Sequence, residues 1–452
     1  MINKIVACLV LLTLSACQSK ENVLSEEISA SGLPYTFTNM PGNSRISIYI
    51  AWPTNWYFDA DNNPAVPRIG TRLLLAGGAT DYPAGQVIER VADMNSEADL
   101  WTSADYVYGV LHFSPEHKDE TLKIANAHLR NPLFDQKWLE RVRSQYTEQM
   151  TEYRDSAEVQ GYEASRWAML GEKPIRAGLS VREESVITNA TRADVASWAK
   201  NIFKRNGTFI SIAGDLTAAD AGRSVDALFD NLPEGEETIA GTLQVDMSPK
   251  RILLHAPESA TSTLTFFGRL PPSGDGSEFD DRILINALSG GFEDGLFGAV
   301  RTELRASYGY GAGIEEYTTD NRLLILSGQV ETNKIAEAEK IIRKVYAEFR
   351  ANPSIEELPK IKKQYELNFK EDLNDTGSVA YNAMISKMRG MNPTRALNLQ
   401  GELDAVTILT LEQRLKDAFP KADEFVVVAS SADEKALPDV CVIKAAKDAL
   451  GC

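Results

Sequence analysis

Three short patterns occur twice in this chain, in the same order and at nearly one spacing, and that repetition limits the folds open to it. Leu75-Ala76-Gly77-Gly78 returns as Leu288-Ser289-Gly290-Gly291. Asn131-Pro132, followed by a charged helical stretch with Gln145-Tyr146, returns as Asn352-Pro353 with Gln364-Tyr365. Phe209-Ile-Ser-Ile-Ala213 returns as Phe425-Val-Val-Val-Ala429. The offsets are 213, 221 or 219, and 216 residues. Self-similarity at one period marks a repeated structural unit, here a tandem duplication of about 215 residues.

Each half reads alike. A β-rich start (Ile46 to Trp52; Ser262 to Gly268) precedes an apolar helix (Arg68 to Gly77; Asp280 to Leu288). Another strand follows (Tyr106 to Phe113; Leu323 to Val330), then long helices with apolar residues at helical spacing. A β-branched strand closes each half. Strands and helices segregate without strict βαβ alternation, so the fold class is α+β: two tandem homologous domains, each a mostly antiparallel sheet covered by helices on one face. With 43% hydrophobic residues the chain can bury two cores. The breaker-rich Leu232-Pro-Glu-Gly-Glu-Glu-Thr opens a linker over 232–247, between domains at 30–231 and 248–452.

At the N-terminus, Lys4 precedes an apolar run from Ile5 to Leu14, the length of a signal-peptide core and too short to span a bilayer. The run closes with Leu14-Ser15-Ala16-Cys17, which resembles the lipobox of bacterial lipoproteins. That resemblance implies removal of residues 1–16, acylation of Cys17 and a loose tether over 17–29. Gln18, in place of Asp, points to the outer membrane, so the body is expected in the periplasm, held by lipid. Buried acyl chains contribute about 0.8 kcal/mol per CH₂, enough together for firm anchoring. Cys8 leaves with the signal and Cys17 is acylated, so Cys441 and Cys452 remain. In an oxidising compartment a disulfide between them is expected, with two unpaired thiols the alternative. The formal charge of −17 falls to −18 without Lys4. With no Lys/Arg cluster, such a chain repels a phosphate backbone, which argues against nucleic acid as a partner.

The landmarks inside the duplicated unit resemble the insulinase/pitrilysin family of zinc metallopeptidases. They are Thr80 after the first helix, Asn131-Pro132-Leu133-Phe134 with Leu139-Glu140-Arg141, Gly214-Asp215, and the segment from Gly290 to Tyr310. Active members carry H-x-x-E-H on the first helix, where two histidines one turn apart bind zinc and the glutamate activates water. Aligning Thr80 with the threonine after that motif puts Gly70, Leu73 and Leu74 at its three positions. None can bind metal or move a proton. The third ligand of the family falls near Val142, with Glu140 and Glu148 close by. The zinc site is therefore read as lost, with no cofactor bound by this chain.

No other metal site is evident. The four histidines are His112, His117, His128 and His255. His112-Phe-Ser-Pro-Glu116-His117 imitates the motif with one residue too many, which turns the second histidine about 140° away on a helix. Pro115 also opposes a helix there, so a strand end and loop are expected. No G-x-S-x-G nucleophile elbow occurs either.

In the second half the resemblance is more informative. Family members show an arginine on a helix and, seven residues later, a tyrosine on a strand; Arg301 and Tyr308 match that spacing. In the family the pair holds substrate and helps to stabilise the oxyanion, as fixed donors can. The departures are Asp294-Gly295-Leu296, where Ser-Arg-Leu is usual, and Ala306 for a larger residue. The structural alternative makes Tyr308 an ordinary strand residue and pairs Arg301 with Glu303 or Glu293. Some bacterial members work as two chains, one with zinc and one with the arginine and tyrosine. The resemblance thus implies a partner bearing H-x-x-E-H, with zinc in that partner and peptides as substrates. Its counterpart is a non-catalytic structural or binding lipoprotein, as in family relatives within respiratory complexes. A self-sufficient peptidase would need a metal site that the sequence does not offer.

Overall fold

The computed structural model of the chain describes residues 22–153, 156–180, 183–275, 277–290, 294–353 and 355–452. Cys8, Cys17 and Gln18, with the expected signal and acylation site, lie outside them, as does Glu293. Among the described residues, twelve strands form two six-stranded sheets. The first holds β1 (Val23–Ile28), β2 (Pro34–Asn39), β3 (Ile46–Pro53), β4 (Glu97–Thr102), β5 (Tyr106–Phe113) and β6 (Phe209–Gly214). The second holds β7 (Lys250–His255), β8 (Ser262–Leu270), β9 (Tyr310–Thr318), β10 (Asn321–Val330), β11 (Val426–Ser431) and β12 (Cys441–Ile443). Their orders are β1-β2-β6-β3-β5-β4 and β12-β7-β11-β8-β10-β9. Apart from β1 and β12, one order maps onto the other. In both, one inner pair is parallel (β2 with β6, β7 with β11), and the rest of the mapped core is antiparallel. The duplication is thus written into the strand topology.

The main helices of the first half are α1 (Val66–Ala76), α2 (Gln86–Asp93), α3 (Lys118–Arg130), α4 (Gln136–Tyr153), α5 (Ala157–Leu170) and α6 (Arg192–Ile202). Those of the second are α7 (Glu278–Ser289), α8 (Ile335–Ala351), α9 (Leu358–Asp372), α10 (Thr376–Met388) and α11 (Ile408–Ala418). Local signals set them. Pro67 opens α1, Thr191 and Asp194 form a capping box on α6, and Asp375 caps α10 by accepting from the backbone N–H of Ser378. In β3, Ile46, Ile48, Ile50 and Trp52 all point into the core, the period-2 pattern of a strand backed by helices.

The α+β reading holds, with one addition. Each sheet is covered on its second face by a helix from the other half. Helix α5 lies across β11 and β8, and α10 lies across β3 and β6. Two glycines permit the close approach. A Cβ on Gly161 would stand 2.6 Å from Ser430 Oγ, and one on Gly377 would stand 2.9 Å from His112 Cε1. They are 216 residues apart, one period of the repeat.

Two segments differ from expectation. The tether over 17–29 is not wholly loose, because Val23–Ile28 pairs antiparallel with β2 over six residues. An edge strand is held by backbone hydrogen bonds, and its side chains, such as Val23 and Ile28, stay exposed, so no apolar pattern announces it. The connector over 232–247 has neither helix nor strand, yet it is strapped down. Leu232, Leu243 and Val245 are buried. Asp246 N–H donates to Met169 O at 2.8 Å, and Arg269 donates to Val245 O at 2.8 Å.

Cys441 and Cys452 are joined, which holds the C-terminal turn Ala446–Gly451 against α5. Closing a loop with a sequence separation of 11 restricts the unfolded chain by about 3 kcal/mol. Replacing both cysteines with serine is expected to lower unfolding free energy by about that amount, read in urea unfolding as a lower midpoint.

Candidate functional site

The helix α1 presents Gly70, Leu73 and Leu74, the positions expected to align with the zinc motif, to packed interior. Leu73 and Leu74 are 0% and 1% exposed and belong to the main core of the first half. Gly70 faces Trp198 of α6, and a Cβ there would stand 2.4 Å from Cζ3 and 2.5 Å from Cε3 of the indole. A histidine at position 70 would need the space the ring occupies. Val142 on α4 is likewise core, whereas Glu140 and Glu148 lie exposed, bonded to Gln136 (3.1 Å) and Ser144 (3.4 Å). Among the described residues, no three His, Cys, Asp or Glu side chains gather as a metal ion would require.

The histidines are occupied separately. His112 lies next to the last residue of β5, and His117 lies in the short turn Pro115–His117, so the strand-and-loop reading of that string is the observed one. His112 Nδ1 is 2.7 Å from Ser47 Oγ, which is 2.7 Å from Thr376 Oγ1 on α10. Burial, helped by the Arg45 charge, lowers the His112 pKa. His255 Nε2 lies 3.1 Å from Ala432 O. His128 is buried in α3, and burial lowers its pKa too, against a backbone hydrogen bond that raises it.

The other half of the predicted machinery sits differently. Arg301 lies on a π-helical turn, Gly298–Glu303, a distortion frequent at functional sites. Its Nη1 donates to the Tyr308 carbonyl at 2.6 Å, and its guanidinium stands over the Phe297 ring at 5.2 Å. Tyr308 was expected on a strand; it lies instead in the loop just before β9. The strand tyrosine is Tyr310, buried, with its hydroxyl 2.9 Å from Leu264 O and 3.2 Å from Leu326 O. Tyr308 is 91% exposed.

The loop that displays Tyr308 is firmly held. Arg305 adopts a left-handed φ of 53°, and Ala306, fully buried, donates through its N–H to Val300 O at 3.0 Å. Lys334 Nζ donates to Leu304 O and Arg305 O at 3.2 and 2.9 Å. Ser307 Oγ donates to Gly309 O (2.8 Å) and accepts from Gly309 N–H (3.0 Å). Arg301 therefore braces the loop as well as flanking it.

Comparison with known proteins places this geometry. Residues 189–365 match the family model described as the Peptidase M16 inactive domain. No curated protein matches the chain. Among solved structures, a peptidase M16 inactive domain from Pseudomonas fluorescens is similar at a TM-score of 0.79 and 16% identity, over 90% of this chain and 98% of that one. The periplasmic protease PqqL from Escherichia coli is similar at 0.69 and 15% identity, over 95% of this chain but 50% of that one. A chain of complex III2 from Candida albicans, solved with Inz-5 bound, is similar at 0.69 and 10% identity, over 92% and 97%. At such identities the likeness is one of fold: an M16-type unit, with the inactive-domain signature running from α6 into α9.

Sequence reasoning singled out Gly70, Leu73 and Leu74, which the structure shows packed in the interior, but missed Trp198. Its place on the buried face of α6, with Val195, Ala199 and Ile202, is legible from helical spacing; its contact with Gly70 is not. Gly70→Ala is expected to cost about 1–3 kcal/mol through overpacking. That cost should shrink in a Trp198→Ala background, measured as a double-mutant cycle of urea unfolding.

Proposed function

We propose that this chain is the non-zinc subunit of a two-chain zinc metallopeptidase of the cell envelope, completing a partner's site. The observation that carries the reading is an asymmetry between the halves. The motif helix has become core, with Trp198 over Gly70 and Leu73 and Leu74 sealed. The second-half loop keeps a braced, outward tyrosine beside Arg301. Hydrolysis needs both activated water and donors for the developing oxyanion. This chain offers candidates for the second need only, so water activation falls to a partner bearing H-x-x-E-H and zinc. The similarity to half of PqqL fits a unit that works beside a second such unit. On this reading peptides are the substrates. The lipobox at Cys17 would hold the subunit in the periplasm at the outer membrane, and among the described residues no helix is long and apolar enough to cross a membrane.

A second reading has its own support. The likeness to a complex III2 chain along nearly that chain's whole length suits a structural or binding lipoprotein that uses the fold without chemistry.

The deciding experiment mixes the purified chain with a zinc-bearing homologue and measures peptide cleavage. Activity is expected only from the mixture and should fall on the order of 100-fold in kcat for Arg301→Ala with Tyr308→Phe. A mixture whose rate ignores both substitutions removes the catalytic role. Co-purification with assembly proteins and no peptidase favours the second reading.

A further inference from the structure

Arg130, Arg192 and Lys200 lie apart in the sequence, yet the fold brings them round one groove that the proposed function does not use. The groove, of about 710 Å³, runs between the end of α3, the outer side of α6 and the chain through Asn231 and Pro233. Phe134, Phe203 and Leu232, all buried, form its floor, and among the described residues no carboxylate lines it. In a chain of net charge −17 this is a local reversal of sign, and such a patch draws anions that the rest of the surface repels.

The cations are placed to meet more than one anionic group. Asp230, outside the lining, reaches Arg130 at 3.9 Å, and among the described residues no carboxylate pairs with Arg192 or Lys200. Arg192 Nη2 donates to Leu133 O at 2.8 Å, which fixes its guanidinium at one end of the groove. Lys200 follows two turns later, roughly 12 Å along the axis of α6. Held so, the two do not close on one small anion, whose oxygens need their donors within about 3 Å. Between them α6 turns Ala193 and Ala196 to solvent, which leaves room for a second backbone.

The walls are already set. Phe134 and Asn231 have left-handed φ values of 48° and 55°, two of the five non-glycine residues that do so among those described. Leu133 N–H donates to Gly78 O at 3.0 Å, and Asn126 Nδ2 donates to Leu228 O and Asp230 O at 3.0 and 2.9 Å. Strain of this kind persists only where the surroundings impose it, and a preformed groove spares a ligand the cost of ordering it.

We infer that this groove docks an acidic peptide segment of a partner protein, with carboxylates spaced to meet Arg192 and Lys200 and a backbone laid over Ala193 and Ala196. Charge complementarity selects the occupant and its register. The inference is independent of the peptidase reading, because neither Arg301 nor Tyr308 takes part.

The test follows the fluorescence anisotropy of a labelled octapeptide of alternating glutamate and alanine as the full chain is added. Its glutamine counterpart, free glutarate and phosphatidylglycerol vesicles are run beside it. Saturable binding of the glutamate peptide is expected, weakening with added salt, and the glutamine peptide should bind about tenfold more weakly. Arg192→Gln with Lys200→Gln should weaken the glutamate peptide about fivefold to tenfold, the effect of two exposed ion pairs. Ala196→Trp, which fills the space above α6, should abolish binding. If Arg192→Gln fails to fold, Lys200→Gln decides, since it breaks no hydrogen bond: an affinity that it leaves unchanged overturns the assignment. Equal binding of the glutamate and glutamine peptides does the same, as does glutarate binding as tightly as the peptide, or vesicles binding where the peptide does not.

Discussion

The structure depends on a reciprocal covering of sheet faces. A sheet backed by helices on one side can leave the other to water, provided that side is polar. Here it is not. The second sheet turns Phe267, Tyr317, Leu323, Ile325, Val426 and Val428 away from its own helices, and these side chains join the core of the first half. The first sheet turns Ala51, Tyr106 and Ala213 toward Val379, Ala380 and Met384 of α10. Each half thus supplies the missing layer of the other. Burying a large apolar side chain contributes roughly 1.5–3 kcal/mol, so separating the halves would forfeit many such contributions at once. The pairing also fixes α1 and the Arg301–Tyr308 loop in one frame, although they lie in different halves.

The same packing rule governs the face of α1 that carries Gly70, Leu73 and Leu74. A helix face built for zinc carries two imidazoles and a carboxylate, and without metal those groups would cost several kcal/mol in a dry interior. Leucine at 73 and 74 and glycine at 70 resolve that conflict in favour of core. Trp198 then occupies the volume above Gly70. Placing metal ligands on this face would therefore require more than three substitutions, because the indole stands where a side chain at position 70 would go. The buried Arg322–Asp281–Arg414 cluster shows the alternative solution for charge in this interior. Asp281, fully buried, accepts from Arg322 at 3.0 Å and from Arg414 at 2.7 and 2.9 Å. Charge is tolerated here because two guanidinium groups meet the buried carboxylate.

Much of this was legible in the sequence. The period of the repeat is set by residues that do the same job twice: Gly77 and Gly290 both end the helix that follows β3 or its counterpart β8, and Phe209 and Phe425 both lead into a central strand. The strand at Tyr106–Phe113 is legible from its run of aromatic and β-branched residues. The failures have physical causes. The crossing helices α5 and α10 meet protein on most sides, so their apolar residues trace no single stripe. The edge strand β1 is held by backbone pairing with β2 and by an ion pair of Glu26 with Lys387, neither of which leaves an apolar pattern in the sequence. Tyr308 and Tyr310 lie two residues apart, and the R-x6-Y spacing cannot tell that one faces the core and the other solvent.

That last pair bears on whether the loop is functional or merely structural. Tyr310 shows what a tyrosine does when it serves the fold: its ring is buried and its hydroxyl lies between two carbonyls. Tyr308 does the opposite. It is held out by a left-handed Arg305, by Lys334 on the carbonyls before it, by Ser307 around Gly309 and by Arg301 on its own carbonyl. A non-glycine residue in the left-handed region costs about 1–3 kcal/mol and persists only where its surroundings impose it. Such restraint around a side chain so fully exposed gives the fold no burial in return. It does supply a phenol at a fixed place, which is what a second surface, brought to the loop by a partner, would need to meet.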